Sequence, residues 1–252
     1  MSGQIDITLD AGVKTLRMNR PDKKNALTDA MYHALADAMI AADEAEEVGA
    51  VLLLGAGGNF TTGNDIADFL AASQGGGLSA DLGVTRFLRC QVECETPLVA
   101  AVEGLAVGVG ATTLFQCDLV YAAETADIRT PFVDLGLVPE NASSFLAPRI
   151  MGHQRAFEML ALGEPFSAQR AYEAGVVNRV LPAAELEAAA TEAARRLAAK
   201  PREAMAITRR LLRGDPAEVG RVAAEESRLF GERIKSDEAR AAFMAFMSRK
   251  TG

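Results

Sequence analysis

Apolar and polar positions alternate at the start of the chain, and their spacing then becomes helical. Alternation over Gln4–Asp10 and Val13–Met18, on either side of a turn, predicts a β-hairpin. Thr28 carries a side chain preferred at N-caps, so we expect a helix from there to Ala45. An unbroken apolar run over 50–54 then predicts a strand that is buried on both faces.

Strand and helix patterns continue to alternate as far as residue 180, after which only helical patterns remain. A stretch rich in Gly, Ala and Ser at 71–82 predicts a loop. Further strands are predicted at 98–102, 118–122, 127–130 and 176–180. The helices predicted after the loop lie at 83–95, 111–116, 141–150, 154–162, 168–174, 184–199, 201–212, 217–234 and 237–249. This order is typical of an α/β core with a helical C-terminal extension, and we place the division between 1–195 and 196–252.

Large apolar side chains recur on the last two predicted helices, among them Leu229, Phe230, Phe243 and Met244. Apolar stripes of this size usually cover another surface. That surface is either the chain's own core or a neighbouring subunit, and the sequence leaves both open. We therefore assign 196–252 to oligomerisation or to a lid over the core.

Composition excludes several classes of function. The chain of 252 residues carries a formal net charge of −8 and has no basic block, which argues against nucleic acid or an anionic membrane as the main partner. Three Cys argue against a disulfide framework and suit a reducing compartment. His33 and His153 lie far apart and outside any zinc or nucleophile motif. An enzyme of this composition is therefore expected to work with carboxylates and backbone groups.

The start of the chain and its longest apolar stretch bear on location. Residues 1–6 have no basic segment followed by an apolar run, as a signal peptide needs. The stretch Leu98–Phe115 is interrupted by Glu103 and by three glycines, so it is too polar to span a membrane. We expect a cytoplasmic protein.

Two Gly-rich segments follow predicted strands, at 55–58 and 104–110. The first lacks the helix start of a dinucleotide-binding turn, and the second lacks the Gly-Lys-Ser/Thr of a P-loop. Asn64 and Val109 each follow a glycine at a strand-to-helix turn, so their N–H groups could point to one place. Two such donors form an oxyanion hole. The alternative interpretation is that both turns are only tight loops.

The sequence resembles the crotonase superfamily, also called the enoyl-CoA hydratase/isomerase family. Four segments carry the resemblance, and the helical C-terminal part fits as well. They are a first loop at Arg20–Leu27, two oxyanion-hole segments at Phe60–Ile66 and Val102–Gly110, and a catalytic loop at Thr130–Glu140.

The resemblance implies a spiral of ββα units that assembles as trimers or dimers of trimers. It implies an acyl-CoA thioester as substrate, with coenzyme A as part of the substrate and no separate cofactor. The oxyanion donors would be the N–H groups of Asn64 and Val109, and the Thr62 backbone would lie near the adenine. By position, the substrate-binding residues would be Lys24, Ala26, Thr62, Gly63, Asp65, Ile66, Gly108, Gly110 and Phe132.

Two departures narrow the implied reaction. Hydratases of the family use two glutamates, and the corresponding positions hold Thr112 and Phe132. Without that pair of acids, water addition lacks its general base and acid. The segments 63–66 and 139–144 are instead similar to the peroxisomal-type Δ3,Δ2-enoyl-CoA isomerases, in which the glutamate at the position of Glu140 is the single base.

Alternatives remain open for the activity and for individual residues. The chain could be a hydratase-like enzyme, or a family member that binds acyl-CoA without catalysis. Glu140 could merely favour the first turn of a helix, and Asp134 is the nearest competing carboxylate although it suits the surface. Asp65 suits a cap or loop anchor better than a catalyst. The first loop has three basic residues, which contact either CoA phosphates or solvent: Arg20, Lys23 and Lys24.

Overall fold

The structure, a computed structural model, describes residues 3–65 and 82–249. Within these ranges it contains nine β-strands and ten α-helices. The strands are β1 Ile5–Asp10, β2 Val13–Met18, β3 Ala50–Gly55, β4 Leu98–Val102, β5 Leu105–Val107, β6 Leu119–Ala123, β7 Asp127–Arg129, β8 Phe166–Ser167 and β9 Arg179–Leu181. The helices are α1 Asp29–Glu44, α2 Gly83–Glu93, α3 Val109–Leu114, α4 Ser143–Met151, α5 His153–Leu160, α6 Ala168–Glu173, α7 Ala183–Ala198, α8 Arg202–Arg213, α9 Pro216–Arg233 and α10 Asp237–Arg249.

The larger sheet has six strands in the order β1-β2-β3-β4-β6-β9. The predicted hairpin β1–β2 is antiparallel, and all other neighbours in this sheet are parallel. Alternate side chains of β3 enter two different hydrophobic clusters. Val51 and Leu53 pack into the main core, whereas Leu52 and Leu54 pack on the other face with Leu186 of α7. The prediction of a strand buried on both faces is therefore confirmed.

A second, smaller sheet has the order β5-β7-β8. Isolated bridges extend it beyond β5, from Ala106 to Thr61 and from Asn64 to Leu27. Successive passes of the chain therefore add extended segments to both sheets, which confirms the spiral arrangement that the resemblance implied. The same stacking brings the loop after β3 beside the loop after β5, where the sequence places the candidate oxyanion donors.

The helices confirm most of the predicted boundaries. Thr28 caps α1, and its side-chain oxygen accepts a hydrogen bond from the N–H of Met31 at 3.3 Å. The apolar stripe near the C-terminus divides between two surfaces: Phe230 is buried in the chain's own core, whereas Leu229 and Met244 are exposed. None of the described helices is long and apolar enough to cross a membrane.

One strand prediction needs correction, and two short strands were not predicted. The strand predicted at 176–180 lies at Arg179–Leu181, because the N–H groups of Val176 and Val177 both donate to the carbonyl of Ala171 at the end of α6. Sequence patterns did not predict β5 or β8, which are only three and two residues long. The loop predicted at 71–82 lies, apart from Leu82, outside the described residues, as does Ile66.

Candidate active site

Two segments meet beside the smaller sheet, namely 60–65 after β3 and 107–110 after β5. The N–H of Thr61 donates to Leu105 O at 2.9 Å, and the N–H of Val107 donates to Thr61 O at 3.0 Å. At Gly63, which has φ +82°, an added Cβ would lie 2.7 Å from Val107 O and 3.9 Å from the nitrogen of Val109. Only glycine permits this contact. The close approach brings Asn64 and Val109 to the same place.

Gly110 secures the same contact from the other segment. A Cβ at this position would lie 2.6 Å from Cγ2 and 3.1 Å from the carbonyl oxygen of Thr61. Gly108, with φ +58°, turns the chain from β5 into α3, and its N–H donates to Arg129 O at 2.9 Å. Packing of the two segments therefore requires glycine at 63 and 110, whereas the positive φ favours glycine at 108, whatever substrate the segments bind.

The N–H groups of Asn64 and Val109 donate to no other group in the described part of the chain. Val109 is the first residue of α3, and a first-turn N–H has no partner within its own helix. Val109 is also buried, and buried N–H groups without partners are rare in proteins. The arrangement suits donation to a carbonyl oxygen of a bound molecule, and the oxyanion role of these two residues stays a prediction.

Tyr32 of α1 reaches the first of these donors. Its hydroxyl donates to Oδ1 of Asn64 at 2.5 Å, and its ring lies 5.7 Å from that of Phe87 on α2. Burial, and then the charge of Glu140, raise the pKa of Tyr32 well above its ordinary value. Tyr32 therefore bonds to the side chain of one predicted oxyanion residue and senses the charge of the predicted base. Sequence analysis did not identify it, because a tyrosine among the apolar positions of an amphipathic helix looks like ordinary core.

Glu140 is buried, with 5% of its surface exposed. Its carboxylate forms no hydrogen bond or ion pair with any described residue. Burial, and then the charge of Glu226, raise its pKa from 4.5 to about 8. A carboxyl group with these properties can both accept and release a proton near neutral pH. The competing carboxylate, Asp134, is exposed, as the sequence indicated.

The backbone beside Glu140 is strained. Asn141 has φ +63° and Ala142 has φ +56°, and a left-handed conformation costs a non-glycine residue about 1–2 kcal/mol. Buried amides hold the turn in place. Gln116 Nε2 donates to Asn141 O at 2.9 Å, and Asn141 Nδ2 donates to Oε1 of Gln91 at 3.2 Å. The strain therefore lies where the predicted base is presented.

The first loop is anchored to the segment that carries Asn64. Arg20 Nη1 lies 2.6 Å from Oδ2 of Asp65 and donates to Ala26 O at 3.1 Å. The N–H of Thr62 donates to Lys24 O at 3.2 Å. Arg20 is thus engaged within the protein, whereas Lys24 is exposed to solvent. The substrate-binding roles of Lys24, Ala26, Thr62 and Asp65 stay predictions.

The two positions that carry acids in hydratases lie in apolar or backbone-bonded surroundings. Thr112 is fully buried, and its hydroxyl donates to Val109 O at 3.3 Å. Phe132 is buried, and its ring lies 6.4 Å from that of Phe230 in an edge-to-face arrangement. Neither side chain can transfer a proton as a carboxyl group does.

This spiral fold is that of the crotonase-superfamily enzymes. The chain belongs to the enoyl-CoA hydratase/isomerase family, which it matches over residues 8–251.

Individual relatives agree with this membership. The chain is 35% identical to enoyl-CoA delta isomerase 2 of Rattus norvegicus over 248 residues, covering 97% of this chain but only 63% of that protein. It is 34% identical to 1,2-epoxyphenylacetyl-CoA isomerase of Escherichia coli over 197 residues, covering 77% of this chain and 75% of that protein. The structure of Pseudomonas aeruginosa OdaA superposes with a TM-score of 0.93 at 42% identity, covering 98% of this chain and 99% of that one.

Proposed function

We propose that the protein is a Δ3,Δ2-enoyl-CoA isomerase, which moves the double bond of a 3-enoyl-CoA to the 2-position. The observation that carries the proposal is the buried carboxyl of Glu140, which has no ion-pair partner among the described residues and whose pKa is raised to about 8, combined with Thr112 and Phe132 at the positions of the hydratase acids. The similarity to enoyl-CoA delta isomerase 2 supports the same reaction, although this chain spans less than two thirds of that protein.

One base suffices for this reaction. The N–H groups of Asn64 and Val109 donate to the thioester oxygen and stabilise the negative charge that develops there. Glu140 removes a proton from C2, and the electrons of the C2–H bond form a dienolate. The C2–C3 double bond then forms, the C3–C4 double bond is lost, and the acid of Glu140 returns the proton at C4. No electron leaves or enters the substrate, so the proposal includes no redox cofactor, and coenzyme A is part of the substrate.

The decisive assay offers the purified protein 3-hexenoyl-CoA and 2-hexenoyl-CoA and follows conjugation and hydration separately. We expect the first substrate to be converted and the second to remain unhydrated. Replacement of Glu140 by Gln is expected to lower isomerisation by about 10²–10⁴-fold, the range of a lost general base. The matched control is Asp134→Asn, which removes an exposed carboxylate from the same loop.

Each outcome distinguishes one of the alternatives. Rapid hydration of the 2-enoyl thioester favours a hydratase-like enzyme. Binding of both thioesters without conversion favours an acyl-CoA-binding protein. Isomerisation that persists in Glu140→Gln refutes the assignment of the base.

We further propose that the protein assembles as a homotrimer or a dimer of trimers, with 196–252 contributing to the contact. Three apolar side chains of α8 are exposed, Ile207, Leu211 and Leu212, the last two by 77% and 83%. Monomers rarely expose a contiguous apolar patch of this kind. Light scattering is expected to give three or six subunits, and Leu211→Lys is expected to dissociate them.

The proposal also includes a cytoplasmic location. All three cysteines are free, which suits a reducing compartment. Cell fractionation tests this part of the proposal independently of activity.

A further inference from the structure

Glu226 of α9 is a buried carboxylate that the proposed reaction does not use. Only 6% of its surface is exposed, and it forms no ion pair within the described ranges 3–65 and 82–249. A buried acid is normally paired with a base or bound to a metal. No cluster of His, Cys, Asp and Glu suited to a metal occurs among the described residues. The position of Glu226 therefore needs another explanation.

The contacts of Glu226 lie at the start of α4, directly after the predicted base. Its Oε1 accepts hydrogen bonds from the N–H of Ser144 at 2.9 Å and from the hydroxyl of Ser144 at 2.5 Å. The N–H groups of Ala142 and Ser143 also favour the ionised form of this carboxylate, although the N–H of Ser143 donates its hydrogen bond to Glu140 O at 3.1 Å. The first-turn N–H groups carry the positive end of the helix. Glu226 therefore occupies the anion-binding end of α4.

Glu140 lies three residues before α4 and so competes for the same positive end. In most proteins an acid at this position is stabilised in its ionised form by the helix. Here Glu226 accepts the hydrogen bonds of Ser144 at this helix end, and its negative charge also repels a charge on Glu140. Burial and the charge of Glu226 together raise the pKa of Glu140 to about 8.

Other charged groups on the neighbouring elements are already engaged elsewhere. On α2, Arg86 pairs with Asp37 and Arg89 lies 3.9 Å from Glu93. On α4, Arg149 donates to Phe145 O at 2.9 Å. On α1, the ionisable side chain near Glu140 is Tyr32, whose own pKa is raised. None of these groups neutralises Glu226 or Glu140.

We propose that Glu226 is a positioning residue for Glu140: it fixes the first turn of α4 and withholds the positive end of that helix from the Glu140 carboxylate. The Glu140 carboxylate is thereby held in a defined place. It also accepts a proton more readily than a carboxylate that is stabilised by a helix N-terminus. This inference rests on the proposed function for the role of Glu140. It goes beyond that function by assigning a part in the reaction to the C-terminal helical region.

The test compares Glu226→Gln with Ser144→Ala. Gln keeps the shape of the side chain and an oxygen for Ser144 but removes the charge, whereas Ser144→Ala removes one hydrogen bond and keeps the charge. The readout is the pH profile of kcat/KM with 3-hexenoyl-CoA. Because Glu140 must be ionised to accept the C2 proton, its pKa sets the acid limb. We expect Glu226→Gln to move that limb to lower pH by about one unit, and Ser144→Ala to leave it in place.

A titration that needs no turnover separates this inference from the proposed function. The carboxyl carbon of Glu140 is followed by nuclear magnetic resonance in protein labelled with ¹³C-glutamate, and Glu140→Gln identifies the signal. A lower titration midpoint in Glu226→Gln supports the positioning role even if the isomerase assignment fails. An unchanged midpoint in both the titration and the rate profile refutes the positioning role, whatever the activity.

Glu226→Asp decides the question if Glu226→Gln does not fold. Asp keeps the charge but withdraws the carboxylate from Ser144, so we expect kcat to fall severalfold while KM and the acid midpoint stay close to those of the wild type. A kcat equal to that of the wild type would show that Glu226 does not position the base.

Discussion

Replacement of Glu140 by Gln is expected to stabilise the protein in alkaline solution and to change its stability little in acid. The reason is that the folded state buries this carboxyl, so folding raises its pKa from 4.5 to about 8. The folded state therefore holds a proton that the unfolded state releases between these two pH values. Stability from this group is complete below pH 4.5 and is lost as the pH rises to 8.

The size of this change in stability follows from the pKa shift of Glu140. One pKa unit corresponds to about 1.4 kcal/mol, so ionised Glu140 costs the folded state about 5 kcal/mol above pH 8 and about 3 kcal/mol at pH 7. Gln carries no charge at any pH and avoids this cost. Between pH 5 and pH 9 the advantage of Glu140→Gln over the wild type should grow by about 4 kcal/mol.

Urea unfolding at a series of pH values measures this difference directly. Asp134→Asn is the control, since it removes an exposed carboxylate from the same loop and leaves the buried carboxyl in place. If the difference between Glu140→Gln and the wild type does not change between pH 5 and pH 9, the carboxyl is not desolvated in the folded protein. The assignment of a raised pKa, and with it the reason for choosing this base, would then be wrong.

Three further substitutions test the remaining parts of the site. Gly63→Ala places a Cβ 2.7 Å from Val107 O, so it should displace one oxyanion donor and lower kcat by about 10²–10³-fold. An unchanged kcat would argue against the oxyanion hole. Arg20→Ala breaks the 2.6 Å ion pair between the first loop and Asp65, so steady-state kinetics should show a raised KM for acyl-CoA with kcat nearly kept; the opposite pattern would contradict a binding role. Tyr32→Phe removes the 2.5 Å hydrogen bond to Asn64, and we expect kcat to fall about tenfold at unchanged KM. An unaltered kcat would show that the tyrosine only packs in the core.

Local sequence signals predicted the core of the fold. The apolar run of β3 and the N-cap Thr28 are local features, and both predictions were confirmed. The errors fall where distant contacts override the local pattern. Val176 and Val177 have strand-forming side chains, yet their N–H groups donate to a carbonyl of α6 and not to a neighbouring strand. The strands β5 and β8 are too short to leave a periodic signal.

The sequence identified some residues of the candidate site and missed others, again according to whether the signal is local. Asn64, Val109 and Glu140 lie in contiguous motifs, so the sequence identified them, and their catalytic roles await experiment. Tyr32 and Glu226 reach the site from helices far away in the chain, and nothing in their own helices distinguishes them from packing or solvated positions. Only the three-dimensional structure shows that these two side chains contact the motifs that carry Asn64 and Glu140.

Helix α9 connects the C-terminal region to both ends of the catalytic loop. Glu226 and Phe230 lie one helical turn apart on α9 and therefore share a face. Glu226 binds Ser144 just after the loop, while the ring of Phe230 packs 6.4 Å from that of Phe132 near its start. From α8, Arg213 donates to Oε1 of Gln116, whose amide holds the strained turn after Glu140. Because these contacts hold the left-handed turn after Glu140, we expect the helices beyond residue 196 to support the predicted base as well as any contact between subunits.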